Sequence, residues 1–201
     1  MEAAIFETFG PAQDVLMVRE LEKPEPGPGE VLVRLITSGV NPSDVKKRMG
    51  SSPGLLDDGP VIPHSDGAGI IESVGEGVPP GRTGERVWVY QAQHGRRFGT
   101  AAEYVALENR RAIALPENTG FGIPIMTAHR CVFADGPVEG QTMAITGGAG
   151  RVGHYAIQWA SQSGARVFTT ASNSADAQAC LEAGAHAVLN HREPDWAKQL
   201  L

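Results

Sequence analysis

In the first part of the chain the apolar positions fall in short, β-branched runs separated by turn residues. Residues 30–36 (EVLVRLI) follow the run PEPGPG at 24–29, which can continue neither a helix nor a central strand. Further runs lie at 67–74, 86–90, 101–107 and 112–115, and Gly75 and Gly77 end the first of these. Short strands with glycine turns between them predict a small barrel or sandwich. One short helix, 43–49, interrupts them, and the Asn41-Pro42-Ser43 that opens it suits a helix N-terminus. Near Gly122 the pattern changes. Residues 125–134, 154–163 and 175–183 read as helices, and 142–146, 166–170 and 187–190 as strands. Gly164 and Gly184 stand where a helix end takes a left-handed residue. From residue 142 the order β-α-β-α-β predicts parallel strands joined by right-handed crossovers.

The chemistry is concentrated in the turn after the first of these parallel strands, Gly148-Ala149-Gly150-Arg151-Val152-Gly153. A lone G-x-G-x-x-G carries little weight, but this one has an apolar strand directly before it and a helix directly after. Gly148 is expected to supply the tight turn, Gly150 to let the backbone approach a pyrophosphate, and Gly153 to let the helix pack close to the strand. Amides and partial positive charge at the helix N-terminus would then face the phosphates of a nicotinamide dinucleotide. Where the second strand ends, a carboxylate would bind a ribose 2′-hydroxyl; the sequence there is Thr170-Ala171-Ser172-Asn173-Ser174. No acid stands in that segment to repel a 2′-phosphate, and hydroxyl and amide groups can donate to one, so NADP(H) is the expected cofactor. The first acid, Asp176, falls in the next helix, for which Ser174 is the candidate cap.

The 201 residues carry 17 Lys and Arg against 23 Asp and Glu, a formal net charge of −6. That balance argues against a broad nucleic-acid surface, and Lys46-Lys47-Arg48 is the only basic run of note. No apolar stretch reaches the length of a bilayer span, and the first residues lack the features of a secretion signal, so a cytoplasmic protein is expected. Cys131 and Cys180 are too few for a disulfide framework or a four-cysteine zinc site. Both fall in helical stretches and are expected to be buried free thiols.

Seven segments together carry a family resemblance: SGVNPSD at 38–44, PHSDGAG at 63–69, GERV at 84–87, AEYV at 102–105, GIPIMTA at 122–128, TGGAGRVG at 146–153 and GAHAVLNHRE at 184–193. The chain resembles the zinc-independent quinone oxidoreductases, the zeta-crystallin type, of the medium-chain dehydrogenase/reductase superfamily. The resemblance implies an α/β fold class: a GroES-like β-barrel catalytic domain over residues 1–122, then the first half of a Rossmann domain over 123–201. It implies NADPH in the cleft between them. It places Asn41 in the substrate and nicotinamide pocket, as a candidate hydrogen-bond donor to the acceptor. Lys46 stands where the family often has a tyrosine touching the cofactor, and Thr127 matches a threonine near the nicotinamide ribose. Ala149 to Val152 match the pyrophosphate turn, and Ser172 and His191 match positions near the adenosine 2′-phosphate. Arg151 replaces a usual glycine, where a long side chain either clashes or pairs with a phosphate. The family lysine near Asp176 is missing, which weakens the 2′-phosphate site. The second mononucleotide half is also absent, so the chain is expected to be truncated relative to full-length homodimers or homotetramers.

Zinc relatives of this superfamily have a cysteine where this chain has Asn41, a histidine where it has Ser65, and four closely spaced cysteines for a structural ion. Neither set is present, and no metal site is expected. His64 is one residue out of register and reads as a loop residue. Without a strong Lewis acid, alcohol dehydrogenation is not expected. Reduction of an electron-poor acceptor needs mainly positioning and a hydrogen-bond donor, while the cofactor supplies the hydride. The expected activity is NADPH-dependent reduction of a small-molecule quinone, with an enone or alkenal as the rival substrate. A truncated, catalytically impaired nucleotide-binding fragment is the rival from another class.

Overall fold

The N-terminus forms structure that the hydrophobic pattern did not predict. An antiparallel ribbon pairs β1 (Glu2–Ile5) with β2 (Met17–Glu20), and the single-turn helix α1 (Ala12–Val15) lies between them. Every residue of β2 is exposed, so it has no half-buried alternation to read. The structure is a computed structural model and describes residues 1–116 and 122–200. It divides into two units, Met1–Ile123 and Pro124–Leu201.

The predicted runs of the first unit become β3 (Glu30–Gly39), β4 (Asp66–Val74), β5 (Arg86–Val89), β6 (Tyr104–Glu108) and β7 (Ala112–Ala114). They pair antiparallel in the order β6-β3-β4-β5-β7. Strand geometry sends alternate side chains to one face, and Val31 with Val33, Val87 with Val89, and Val105 with Leu107 meet there in a closed apolar core. Between β3 and β4 the helix α2 (Pro42–Lys46) is shorter than expected. It passes into a wider π-type turn over Lys47–Ser51, where Gly50 takes a left-handed φ of 96° and ends the regular helix.

Helix α3 (Ile123–Phe133) begins on the last residue of the first unit, and the second unit then alternates β8 (Thr142–Ile145), α4 (Arg151–Gln162), β9 (Arg166–Ala171), α5 (Ser174–Glu182) and β10 (Ala187–Asn190). The three strands are parallel, in the order β10-β9-β8. Gly153, Ala156, Ile157 and Ala160 are the buried residues of α4, spaced as one helical stripe. Three of the four are Gly or Ala, which lets the helix lie close to the sheet. Cys180 is buried as expected, but Cys131 is exposed. The buried stripe of α3 is Ala128 and Val132, and position 131 lies off it.

Candidate functional site

The glycine turn joins β8 to α4 at the C-terminal end of the parallel sheet, the edge where open α/β sheets bind ligands. Strand β9 holds it: the Gly147 amide donates to Thr170 Oγ1 at 3.0 Å and the Gly148 amide to the Thr170 carbonyl at 3.1 Å. The left-handed residue of the turn is Gly147, with φ 67°, directly before Gly148. Gly148 is needed for packing, since a Cβ there would lie 2.2 Å from Thr169 Oγ1 and 2.8 Å from Ile157 Cδ1. At Gly153 a Cβ would lie 2.2 Å from the Gly147 carbonyl oxygen, so the first turn of α4 rests directly on the loop.

Helix α4 starts three residues earlier than its apolar pattern suggested. Gly150 is its N-cap, and the first helical bond runs from the His154 amide to the Gly150 carbonyl at 2.8 Å. The amides of Arg151, Val152 and Gly153 therefore precede any intrahelical acceptor, and a glycine N-cap has no side chain to offer them. Their partner must come from outside the helix, and an anion suits both the amides and the helix dipole. Arg151 is exposed at this end.

Ser172 follows β9 directly, and the His191 amide donates to the Ala171 carbonyl at 3.3 Å. The turn, Ser172 and His191 thus share one end of the sheet. A cavity of about 190 Å³ opens there between Ala171, Asn173, Ala177, Leu189 and Asn190. The cap of α5 is Asn173, not Ser174, which is the first helical residue. Asn173 Oδ1 accepts from the Asp176 amide at 2.9 Å, and Asn173 Nδ2 donates to Asp176 Oδ2 at 2.7 Å. The fold therefore holds a carboxylate against a residue of the cavity wall, although the strand end itself carries none.

The first unit contains a separate polar cluster. Asn41 is buried; its amide donates to Asp44 Oδ2 and its Nδ2 to Asp66 Oδ1, both at 2.7 Å. Asp66 Oδ2 accepts from the Ile123 amide at 2.8 Å. Asp44 Oδ1 is buried with no hydrogen-bond partner among the described residues, and burial pushes the Asp44 carboxyl above its ordinary range. His64 lies in the loop before β4, as expected, and belongs to this cluster. Its Nδ1 lies 2.8 Å from Ser38 Oγ, which lies 2.9 Å from Thr100 Oγ1, which donates to the Asp66 carbonyl at 2.7 Å. Burial lowers the His64 pKa, and the carboxylates of Asp44 and Asp66 partly offset that. Sequence reasoning missed His64 because its partners, Ser38 and Thr100, lie on other segments that only the sheet brings alongside. Lys46 is exposed at the end of α2, and Thr127 is exposed on α3 in the second unit.

Two family models match the chain: an alcohol dehydrogenase GroES-like domain over residues 27–117 and a zinc-binding dehydrogenase domain over 152–201. An alcohol dehydrogenase of Geobacillus stearothermophilus is 30% identical over 231 residues, covering 99% of this chain and 67% of that protein. The chain belongs to the medium-chain dehydrogenase/reductase superfamily. Its GroES-like unit and its Rossmann-type parallel sheet are the two parts of that fold. Another dehydrogenase/reductase relative, quinone oxidoreductase of Rattus norvegicus, is 33% identical over 207 residues, 98% of this chain and 60% of that protein. The structure of Escherichia coli quinone oxidoreductase complexed with NADPH superposes with a TM-score of 0.82 at 26% identity, over 100% of this chain and 61% of the other. The chain thus spans about 60% of the quinone oxidoreductases it matches.

One of the two family descriptions carries zinc, but the residues around Asn41 do not fit that ion. The Asn41 amide group is turned as a donor onto Asp66, and no thiolate stands beside it. Among the described residues no group of three or more His, Cys, Asp and Glu side chains is placed to hold a metal. No helix among them is long and apolar enough to cross a membrane.

Proposed function

We propose that the chain binds NADP(H) at the turn over residues 147–153 and, by hydride transfer and without a metal ion, reduces a quinone or similarly electron-poor acceptor. The observation that carries this reading is the uncapped start of α4, with three free amides above a turn held open by Gly147, Gly148 and Gly153. Those amides suit the pyrophosphate, and Arg151, exposed at the first position of α4, is the proposed second anion partner. Ser172 and His191 are the proposed contacts for the adenosine 2′-phosphate, and Thr127 and Lys46 for the nicotinamide half. When bound, the cofactor supplies the hydride. In the first unit Asn41 is held in place by Asp44 and Asp66, which leaves its second Nδ2 hydrogen to orient the acceptor oxygen.

Fluorescence titration with NADPH and NADH, followed by NADPH oxidation with a quinone and with an alkenal, tests the reading. Saturable binding tighter for NADPH, with faster turnover of the quinone, is the expected result. No saturable binding would overturn the cofactor site. Faster turnover of the alkenal would replace the quinone as acceptor, and binding without any turnover would leave a nucleotide-binding fragment.

A further inference from the structure

The position of each proton in the His64 chain follows from counting donors. The Asp66 carbonyl oxygen can only accept, so the Thr100 hydroxyl gives its single proton to it. Thr100 Oγ1 then has only lone pairs to offer Ser38, so the Ser38 hydroxyl donates to Thr100. Ser38 Oγ in turn has only lone pairs for the imidazole, so His64 Nδ1 carries a proton. The neutral ring is the Nδ1–H tautomer, and Nε2 keeps a free lone pair. The imidazolium makes the same bonds and adds one proton on Nε2. That proton can leave or return without any change in the chain of hydroxyls behind it.

The backbone fixes the ring from the other side. His64 is one of three non-glycine residues among those described with a positive φ, at 75°. The Thr100 amide donates to its carbonyl at 3.2 Å, and Gly99 packs so closely that a Cβ would lie 1.9 Å from the His64 oxygen. The charged groups acting on the ring are Asp44 of α2 and Asp66 of β4. Strain of this kind in a residue pinned by its neighbours points to a use for the side chain.

We propose that His64 is the proton donor to the reduced acceptor, a role that rests on the function proposed above. Hydride transfer gives a quinone two electrons and one proton. The carbonyl π bond opens, and the electron pair comes to rest on an oxygen. That oxygen bonds to the proton of His64 Nε2, the N–H bond breaks, and the hydroquinone is complete. The ring returns to its neutral Nδ1–H form and takes a new proton from solvent.

The test compares wild type with His64→Gly, which suits the left-handed backbone and so should keep the fold. The variant should lose about a hundredfold in kcat, keep its NADPH affinity, and regain activity with added imidazole. Wild-type kcat should fall as pH rises through the imidazole titration, and the variant should lose that dependence. Independently, ¹⁵N NMR of the histidines should find neutral His64 protonated on Nδ1, with Ser38→Ala shifting the proton toward Nε2. An active wild type with an equally active H64G variant overturns this role alone, as does a neutral wild-type ring protonated on Nε2. A wild type that turns over no quinone overturns the proposed function and this role with it.

Discussion

Replacing Gly153 by Ala tests the contact between turn and helix that the nucleotide reading depends on. The added Cβ would stand 2.2 Å from the Gly147 carbonyl oxygen, 2.9 Å from its carbon and 3.0 Å from Gly148 Cα. All three atoms are backbone, so no side chain can swing away. The carbonyl that is hit also accepts from the Gly150 amide at 2.9 Å, so moving it disturbs the N-cap itself. Overpacking a close contact costs about 1–3 kcal/mol. Alanine recovers up to about 1 kcal/mol of helix propensity against glycine. The net expectation is a loss of about 1–2 kcal/mol and a melting temperature lower by a few degrees. Relief of the clash must lift the first turn of α4 off the loop, which carries the Arg151, Val152 and Gly153 amides out of register with an anion. The dissociation constant for NADPH should rise about tenfold, or 1.4 kcal/mol. Thermal unfolding and fluorescence titration read the two effects separately. A G153A protein with unchanged melting temperature and NADPH affinity would falsify the steric argument, and one that melts lower but binds as before would detach the turn from the ligand.

Two further substitutions follow from the carboxylates. Burial raises the Asp44 pKa, so the folded chain holds a proton that the unfolded chain releases near 3.8, and stability falls as pH rises through that window until the penalty is complete above the raised value. Asp44→Asn removes the titration, so thermal unfolding across a pH series should show the variant gaining on wild type as pH rises; parallel curves would refute the assignment. Asp176→Asn removes the negative charge held against Asn173. A like charge near a 2′-phosphate costs about 1 kcal/mol in a solvent-exposed site, so the NADPH-to-NADH affinity ratio should rise roughly fivefold by titration, and an unchanged ratio would put the 2′-phosphate elsewhere.

The parts of this protein that sequence makes legible are those built from local rules. Alternating valines mark β3 and β5, glycines mark the ends of α4 and α5, and the strand-turn-helix context identifies the nucleotide turn. Element boundaries shifted where backbone bonding and apolar pattern part company. Helix α4 begins at Arg151 because Gly150 caps it, while its first inward-facing residue is Gly153. The ribbon strand β2 was invisible because none of its residues is buried. The closeness of Asp176 to the cavity on the three-stranded sheet was hidden for a related reason: the acid lies within the helix in sequence, and the Asn173 cap folds its carboxylate back toward the strand end.

His64 shows most clearly what a one-dimensional reading omits. Gly147 and His64 both take a left-handed backbone, with φ of 67° and 75°. At Gly147 the conformation is cheap, and the residue type announces it. At position 64 the same conformation costs a non-glycine residue about 1–2 kcal/mol, and the residue type conceals it. Glycine would serve the backbone better there, so what the histidine adds is its ring. Nδ1 is committed to Ser38, and the proton on it is fixed by a carbonyl three hydrogen bonds away. The one polar atom of that ring left to meet a substrate is Nε2. Strain alone would be compatible with a merely structural histidine. Strain together with a chain of hydroxyls that dictates the tautomer is what a group built to give and regain a proton requires, and it is why the nitrogen carrying the proton in the neutral ring is the decisive measurement.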